Sequence, residues 1–449
     1  MLDKLRNALT GTNGRNKILV RNILFSAILK VIGLATSLLV VRVTLHYLNN
    51  EIYGIWMTIT SIIYWISVFD IGMGNGMRNY MTMAISKNNY PEARAYLSTT
   101  LFALTVIALV AVVLMILPLS LLDFNSVFNT RVLPSDELRN AMVVAFAFTM
   151  MLFVMKNISY VFMAMQKYAL ADLLTVTSNV AALAIVYVLT KTTQGNLLLV
   201  VLAFTAAPVV TYLLAAIPFF VCYPQLRPRF GEFRKDLLSK IVGKGLNFFF
   251  IQITSCLVIY GASNMFIIQF CGPESVTVYN IAYKFFNLMA IAYTVIISPM
   301  WNAYTDAYIK GDYAWIRSNF RTSLCSWLMI EVVGVVMLFL SHWFYRLWVG
   351  SAVSVPLSVS LSVFAFISLF NFNNAATYLI NGLNKIRVQM ITSIVVTALY
   401  LAAMLCFGHR IGIEGVVLSM AAAYLVMGAI HFYQCRLLIT SRASGIWDK

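Results

Sequence analysis

The sequence predicts an all-α integral membrane protein, with 12 transmembrane helices in two pseudo-repeated six-helix bundles around a central cavity. Three observations predict it. The composition is 61% hydrophobic and 11% charged, where soluble domains carry roughly 25% charge, and mean hydropathy is +0.83. Apolar runs recur at the length, about 20 residues, that spans the hydrocarbon. Two stretches of sequence also echo each other six runs apart.

The runs lie near 22–48, 52–72, 95–122, 138–166, 168–190, 196–222, 246–271, 276–305, 317–342, 354–384, 387–408 and 412–438. Residues 1–21 are polar and basic. The full-length run behind them has no small-residue cleavage site, so it reads as an uncleaved first span with a cytoplasmic N-terminus. In that orientation 23 of the 32 Lys and Arg residues fall in cytoplasmic segments and five in outside loops, the positive-inside bias. An even number of spans returns the C-terminus to the cytoplasm. The organisation expected is an N-terminal six-helix half over 1–222, a cytoplasmic linker over 223–245 and a C-terminal six-helix half over 246–449. In the linker Phe230, Phe233, Leu237 and Ile241 recur at helical spacing among basic residues, which predicts an amphipathic helix on the inner leaflet.

The repeat follows from matched residues. Ala84, Lys87, Tyr90 and Arg94 align with Ala307, Lys310, Tyr313 and Arg317 at one offset. Tyr160, Gln166 and Lys167 align with Tyr378, Asn384 and Lys385. The first pair of stretches follows runs two and eight, the second runs four and ten. Six is even, so both halves share one orientation, as in transporters built from parallel repeats.

Several chemistries are excluded. The net charge of +16 sits in short loops and never gathers on a soluble domain, which excludes nucleic acid as a partner. The six cysteines form no CxxC and stand without a His at ligand spacing, so they read as small packing residues and no metal site is expected. His46, His342, His409 and His431 are scattered near run ends and read as satisfied or interfacial. No P-loop, GxSxG or HExxH is present, and no catalytic residues are assigned.

The informative residues are charges inside the spans: Lys30 and Arg42 in run one, Lys156 in run four, Lys284 in run eight and Glu331 in run nine. A charge at the bilayer centre costs at least about 2.5–3.5 kcal/mol, so such groups normally face a bundle interior or a wet cavity. Four cations exceed one anion, so internal pairing cannot neutralise them. Arg42, close to a run end, has snorkelling as an alternative. Polar stripes accompany the cations: Ser26, Gly33 and Ser37 beside Lys30; Asn280, Asn287, Thr294 and Ser298 beside Lys284; Asn374, Thr377, Asn381 and Asn384 in run ten. Part of the last stripe is accounted for by interhelical hydrogen bonding. Amides and hydroxyls next to cations also suit sugar hydroxyls and phosphate. The expected substrate-binding set is Lys30, Arg42, Lys156, Lys284, Asn287, Asn374 and Asn381. Glu331 is the candidate for a titrating group, with pairing to Lys156 or Lys284 as the other reading.

The stretch Phe69-Asp70-Ile71-Gly72-Met73-Gly74-Asn75-Gly76-Met77-Arg78-Asn79, followed by Tyr90-Pro91-Glu92-Ala93-Arg94, resembles the polysaccharide-transporter family. These are bacterial flippases for lipid-linked O-antigen and capsule repeat units, within the multidrug/oligosaccharidyl-lipid/polysaccharide exporter superfamily. The resemblance is specific over about residues 52–100 and architectural elsewhere. It implies no enzyme but an inner-membrane flippase that moves undecaprenyl-pyrophosphate-linked oligosaccharide from the cytoplasmic to the periplasmic leaflet by alternating access. It implies membrane lipids and polysaccharide-assembly proteins as partners. It implies no cofactor, with coupling to a proton or sodium gradient in view, and Asp70 and Arg78 as a cytoplasmic gate. A cation-coupled multidrug exporter of the same superfamily is the alternative, and a membrane-embedded glycan polymerase or ligase a more distant one.

Overall fold

The computed structural model describes residues 14–68, 72–242, 262–351 and 353–448. The regular structure among them is helical. The principal helices are α1 (Gly14–Leu48), α2 (Asn50–Val68), α3 (Met73–Ser86), α4 (Tyr90–Leu121), α5 (Ser135–Met155), α6 (Asn157–Ala164), α7 (Tyr168–Thr192) and α8 (Leu197–Cys222). After the linker come α9 (Ala262–Cys271), α10 (Pro273–Ile297), α11 (Met300–Ile309), α12 (Tyr313–Val349), α13 (Leu357–Gly382), α14 (Arg387–Ile411) and α15 (Ile413–Ile439). Among the described residues ten spans are long and apolar enough to cross a membrane, with α5 and α6 forming one of them. The two remaining expected spans, 52–72 and 246–271, fall on α2 and α9. Parts of both, residues 69–71 and 243–261, lie outside the described residues.

The chain packs as two compact units. The first holds Met1–Asn49, Ile66–Asn125 and Leu133–Phe249; the second holds Asn50–Trp65, Ser126–Val132 and Phe250–Lys449. The division is therefore not purely sequential, because most of α2 sits with the C-terminal helices. Three features hold it there. A Cβ at Gly54 would collide with the Pro273 carbonyl, so a hydrogen in its place lets α2 and the start of α10 touch backbone to backbone. Thr277 Oγ1 donates to the Asn50 carbonyl at 2.6 Å. Asn264 on α9 reaches Ser61 on α2. Small residues at such a crossing, sealed by side-chain hydrogen bonds, are how helices associate where lipid removes the hydrophobic driving force.

In the first unit α1 packs on α7, α8 on α5 and α7, and α3 on α4 and α6. Met73, Met77 and Met81 of α3 enter a core with Tyr96, Phe162 and Phe219. The glycines of the sequence motif serve this packing. A side chain at Gly74 would strike the Tyr160 ring, and one at Gly76 would come 2.7 Å from the Ile241 carbonyl oxygen. Ile241 belongs to the linker, where 235–242 is helical. Leu237 and Ile241 are buried in the same core while Lys235 and Lys240 are exposed. The apolar side of 235–242 is thus taken up by protein. Phe233 precedes this helix, and its ring packs against that of Phe102, 4.8 Å between centroids.

In the second unit α13 packs on α15, α10, α12 and α11, and α14 packs on α15. His431 of α15 is fully buried. Its ring nitrogens meet Asn373 Oδ1 at 2.8 Å and Thr392 Oγ1 at 2.9 Å. It is a satisfied histidine that ties α13, α14 and α15, as read from the sequence.

The sequence echoes mark turns of one geometry. Lys87 and Lys310 are C-caps, Asn88 (φ 56) and Gly311 (φ 70) are left-handed, and Asn89 and Asp312 are N-caps. Each N-cap side chain accepts from a backbone N–H three residues on, at 3.3 Å and 2.9 Å, as N-cap residues do. In the second echo Gln166 (φ 61) and Asn384 (φ 58) are left-handed. The lysines after them act alike: Lys167 Nζ donates to Tyr223 Oη at 2.9 Å, and Lys385 Nζ pairs with Asp448 at 2.9 Å. Each fastens the segment that follows the last long helix of its half.

Candidate functional site: a polar pocket around Lys284

Helix α10 begins with Gly272 (φ 84) and Pro273, a sharp entry that brings its first turns against α2. One helical face then carries Asn280, Lys284 and Asn287, following the i, i+4, i+7 spacing. Asn280 and Lys284 open on a pocket of about 180 Å³ lined also by Met57, Thr60, Ser61, Tyr64, Asn264, Tyr279 and Tyr283. All of these belong to the second unit.

Amide hydrogen bonds build its floor. Asn264 Nδ2 donates to Ser61 Oγ at 2.6 Å and to the Met57 carbonyl at 3.3 Å. Asn280 Nδ2 donates to Asn264 Oδ1 at 2.9 Å and to the Val276 carbonyl at 2.8 Å. Ser61, Asn264 and Asn280 are buried, so the network links three helices in low dielectric, where such bonds are electrostatically strengthened. Tyr279 and Tyr283, which also line the pocket, stand 5.8 Å apart by ring centroid. Lys284 is half-buried and, among the described residues, makes no hydrogen bond or ion pair. An ammonium with three donors, held among amides, hydroxyls and phenols, is arranged to receive an anion. At about 30 Å³ per water-sized group the pocket takes roughly six such groups. That is one phosphate with its ester oxygens, and far less than an oligosaccharide.

The other expected residues are dispersed. Lys30 and Arg42 are exposed on α1, and Lys156 is exposed where α5 gives way to α6; all three belong to the first unit. Asn287, Asn374 and Asn381 are half-buried and do not line the pocket. Arg78 Nη1 lies 3.8 Å from Met163 Sδ, which ties α3 to α6. Asp70 lies outside the described residues. Glu331 sits in the middle of α12 beside Trp327 and Ser368, with its Oε1 buried and without a hydrogen bond. Among the described residues it forms no ion pair, so a bridge to a lysine is not what holds it.

Residue reading from sequence missed Ser61, Tyr64, Asn264 and Tyr279. Asn264 carried a weak signal, as an amide within an apolar run. Ser61 and Tyr64 carried none, because single hydroxyls in a span are more often helix glue.

No family model matches the chain. It is 23% identical over 297 residues to a Salmonella typhi protein provisionally named an O-antigen transporter, covering 63% of this chain and 64% of that protein. The chain therefore spans less than two thirds of that relative. The fold is similar to that of a multidrug-resistance MATE-family transporter of the MOP superfamily solved in an inward-facing conformation. The TM-score is 0.76 at 15% identity, over 92% of this chain and 95% of that one. It is similar also to a Pyrococcus furiosus MOP-superfamily transporter whose binding-pocket polarity is described as reversed and as suggesting a different function. There the TM-score is 0.64 at 17% identity, over 94% and 96% of the two chains. The sequence resemblance at residues 69–79 and these structural likenesses agree: the chain has the fold of MOP-superfamily transporters.

Proposed function

We propose that the chain is a flippase for undecaprenyl-pyrophosphate-linked oligosaccharide, moved from the cytoplasmic to the periplasmic leaflet by alternating access. The observation that carries this is the unpartnered Lys284 ammonium in an amide- and tyrosine-lined pocket inside a membrane span. Lys284 takes one phosphate of the carrier. Lys30, Arg42 and Lys156, with Asn287, Asn374 and Asn381, serve the remaining anionic and hydroxyl groups of the headgroup along its path. Each sugar hydroxyl left unpaired in hydrocarbon costs several kcal/mol, which is why the headgroup needs a polar route while its polyprenyl tail stays in lipid. Glu331 is the proton- or sodium-responsive group, and Asp70 with Arg78 the cytoplasmic gate. The twelve spans form two parallel six-helix repeats.

The competing reading is cation-coupled drug export, which the multidrug-resistance naming of a structural neighbour favours. A drug exporter for cations needs an acid in its pocket, and this pocket presents a lysine. The test is reconstitution into proteoliposomes with a lipid-linked oligosaccharide and, separately, a cationic dye. Lys284→Ala is expected to abolish glycolipid translocation at matched protein density. Unchanged translocation would overturn the role of Lys284, and dye export by the unsubstituted protein without glycolipid translocation would overturn the flippase reading.

A further inference from the structure

We infer that the first unit carries a binding groove for an anionic glycerophospholipid, one acyl chain lying in the groove and the phosphate on Arg227. The groove measures about 660 Å³ and runs between α4, the α5–α6 junction and the end of α8. Its lining is apolar, as at Leu101, Ile158, Ala216 and Phe220, apart from Asn157 and Arg227. On the α8 side it is open, since Ile217 is 56% and Val221 74% exposed. In a membrane-spanning helix that side borders lipid.

The charges at the mouth specify the headgroup. The acids of the linker are already engaged, Glu232 with Arg94 at 2.6 Å and Asp236 with Arg234 at 3.0 Å. The side chains of Arg227, Arg229, Lys235 and Lys240 have no ion-pair or hydrogen-bond partner among the described residues, and all four are exposed. Arg227 lines the groove, and with the other three it makes the linker a run of uncompensated cations, of the kind that basic clusters next to spans offer to anionic leaflets. The volume decides the tail. At about 30 Å³ per water-sized group the groove takes roughly twenty-two groups, the bulk of one long acyl chain. A polyprenyl carrier is several times bulkier.

The test measures lipid retained by the full-length protein after delipidating washes in detergent containing equal phosphatidylglycerol and phosphatidylethanolamine, read by mass spectrometry. The unsubstituted protein is expected to keep about one phosphatidylglycerol per chain, at least tenfold over phosphatidylethanolamine. Ala216→Trp, which fills the groove, is expected to lower retention at least tenfold. Arg227→Gln, exposed and outside the spans, is expected to abolish the preference while leaving the protein folded. Equal retention of the two lipids by the unsubstituted protein, or retention indifferent to both substitutions, would overturn the inference. So would recovery of polyprenyl phosphate as the retained lipid. None of these readouts involves transport, so the result stands apart from the flippase reading.

Discussion

Replacing Lys284 with Gln keeps a polar hydrogen-bonding group, one atom nearer the backbone, and removes the charge. Two unit charges 4 Å apart attract by about 4 kcal/mol at an effective dielectric of 20. Lys284 is half-buried, so solvent screening halves this to about 2 kcal/mol, which is roughly 30-fold in affinity. The assay is binding of a short-chain polyprenyl-pyrophosphate glycan to purified protein by microscale thermophoresis at two ionic strengths. Lys284→Gln should weaken binding by about that factor, and Lys284→Arg should restore most of it. Because the ammonium lies inside the pocket, salt should weaken the unsubstituted protein less than it would an exposed pair. A loss of less than threefold for Lys284→Gln would refute the assignment. So would a loss that Lys284→Arg shares in full, because that pattern would mark a packing defect.

Glu331→Gln should leave glycolipid binding unchanged and remove the dependence of translocation on an imposed ion gradient, read in proteoliposomes with and without ionophore. Gly76→Val would press on the Ile241 carbonyl, 2.7 Å from the position of its Cβ; overpacking of this kind costs about 1–3 kcal/mol and should lower Tm in detergent. Asn264→Leu removes the two donor bonds from Asn264 and the one it accepts; at about 0.6 kcal/mol per interhelical bond in membranes the loss is about 2 kcal/mol, seen as a lower Tm together with weaker glycolipid binding. Asp448 holds the Lys385 ammonium above the usual lysine range through their hydrogen bond. The pair therefore contributes stability at neutral pH and loses it only as pH climbs past that range. Asp448→Asn should cost less than about 1 kcal/mol at neutral pH, and its Tm should converge on that of the unsubstituted protein in strong alkali.

Ten of the spans are found among the described residues, and they were legible because lipid imposes a length and a polarity on each one. The echoes at 84–94 and 307–317 were legible through the letters that flank one turn, while inside it different residues, Asn88 and Gly311 and then Asn89 and Asp312, do the same backbone work. The placement of α2 was not legible. It depends on Gly54 meeting Pro273 and on Asn264 meeting Ser61, contacts between residues far apart in sequence with no periodic signature. The pocket was half legible for the same reason. Lys284 and Asn280 share a helical face, so spacing finds them together. Asn264, Ser61 and Tyr64 join them from other helices, and only packing reveals that. Amphipathic spacing in the linker reports an apolar side without saying what covers it, and at Leu237 and Ile241 the cover is protein.

Under the proposed function, charge is what separates the flippase reading from drug export. The second unit holds an unpaired cation in a polar pocket and, elsewhere, an acid next to Trp327 and Ser368. Had the two been paired, neither could respond to a ligand or an ion without leaving its partner buried and unpaired, at a cost of several kcal/mol. Held apart, the lysine can meet an anionic headgroup while the carboxyl gains or loses a cation. The amide network next to Lys284 adds donors and acceptors that a flat apolar drug would leave unsatisfied, each a penalty of about 1–3 kcal/mol. Phosphate and sugar oxygens satisfy them. Cation at the pocket, polar floor and separate acid are the three features on which the proposed polar anionic cargo rests.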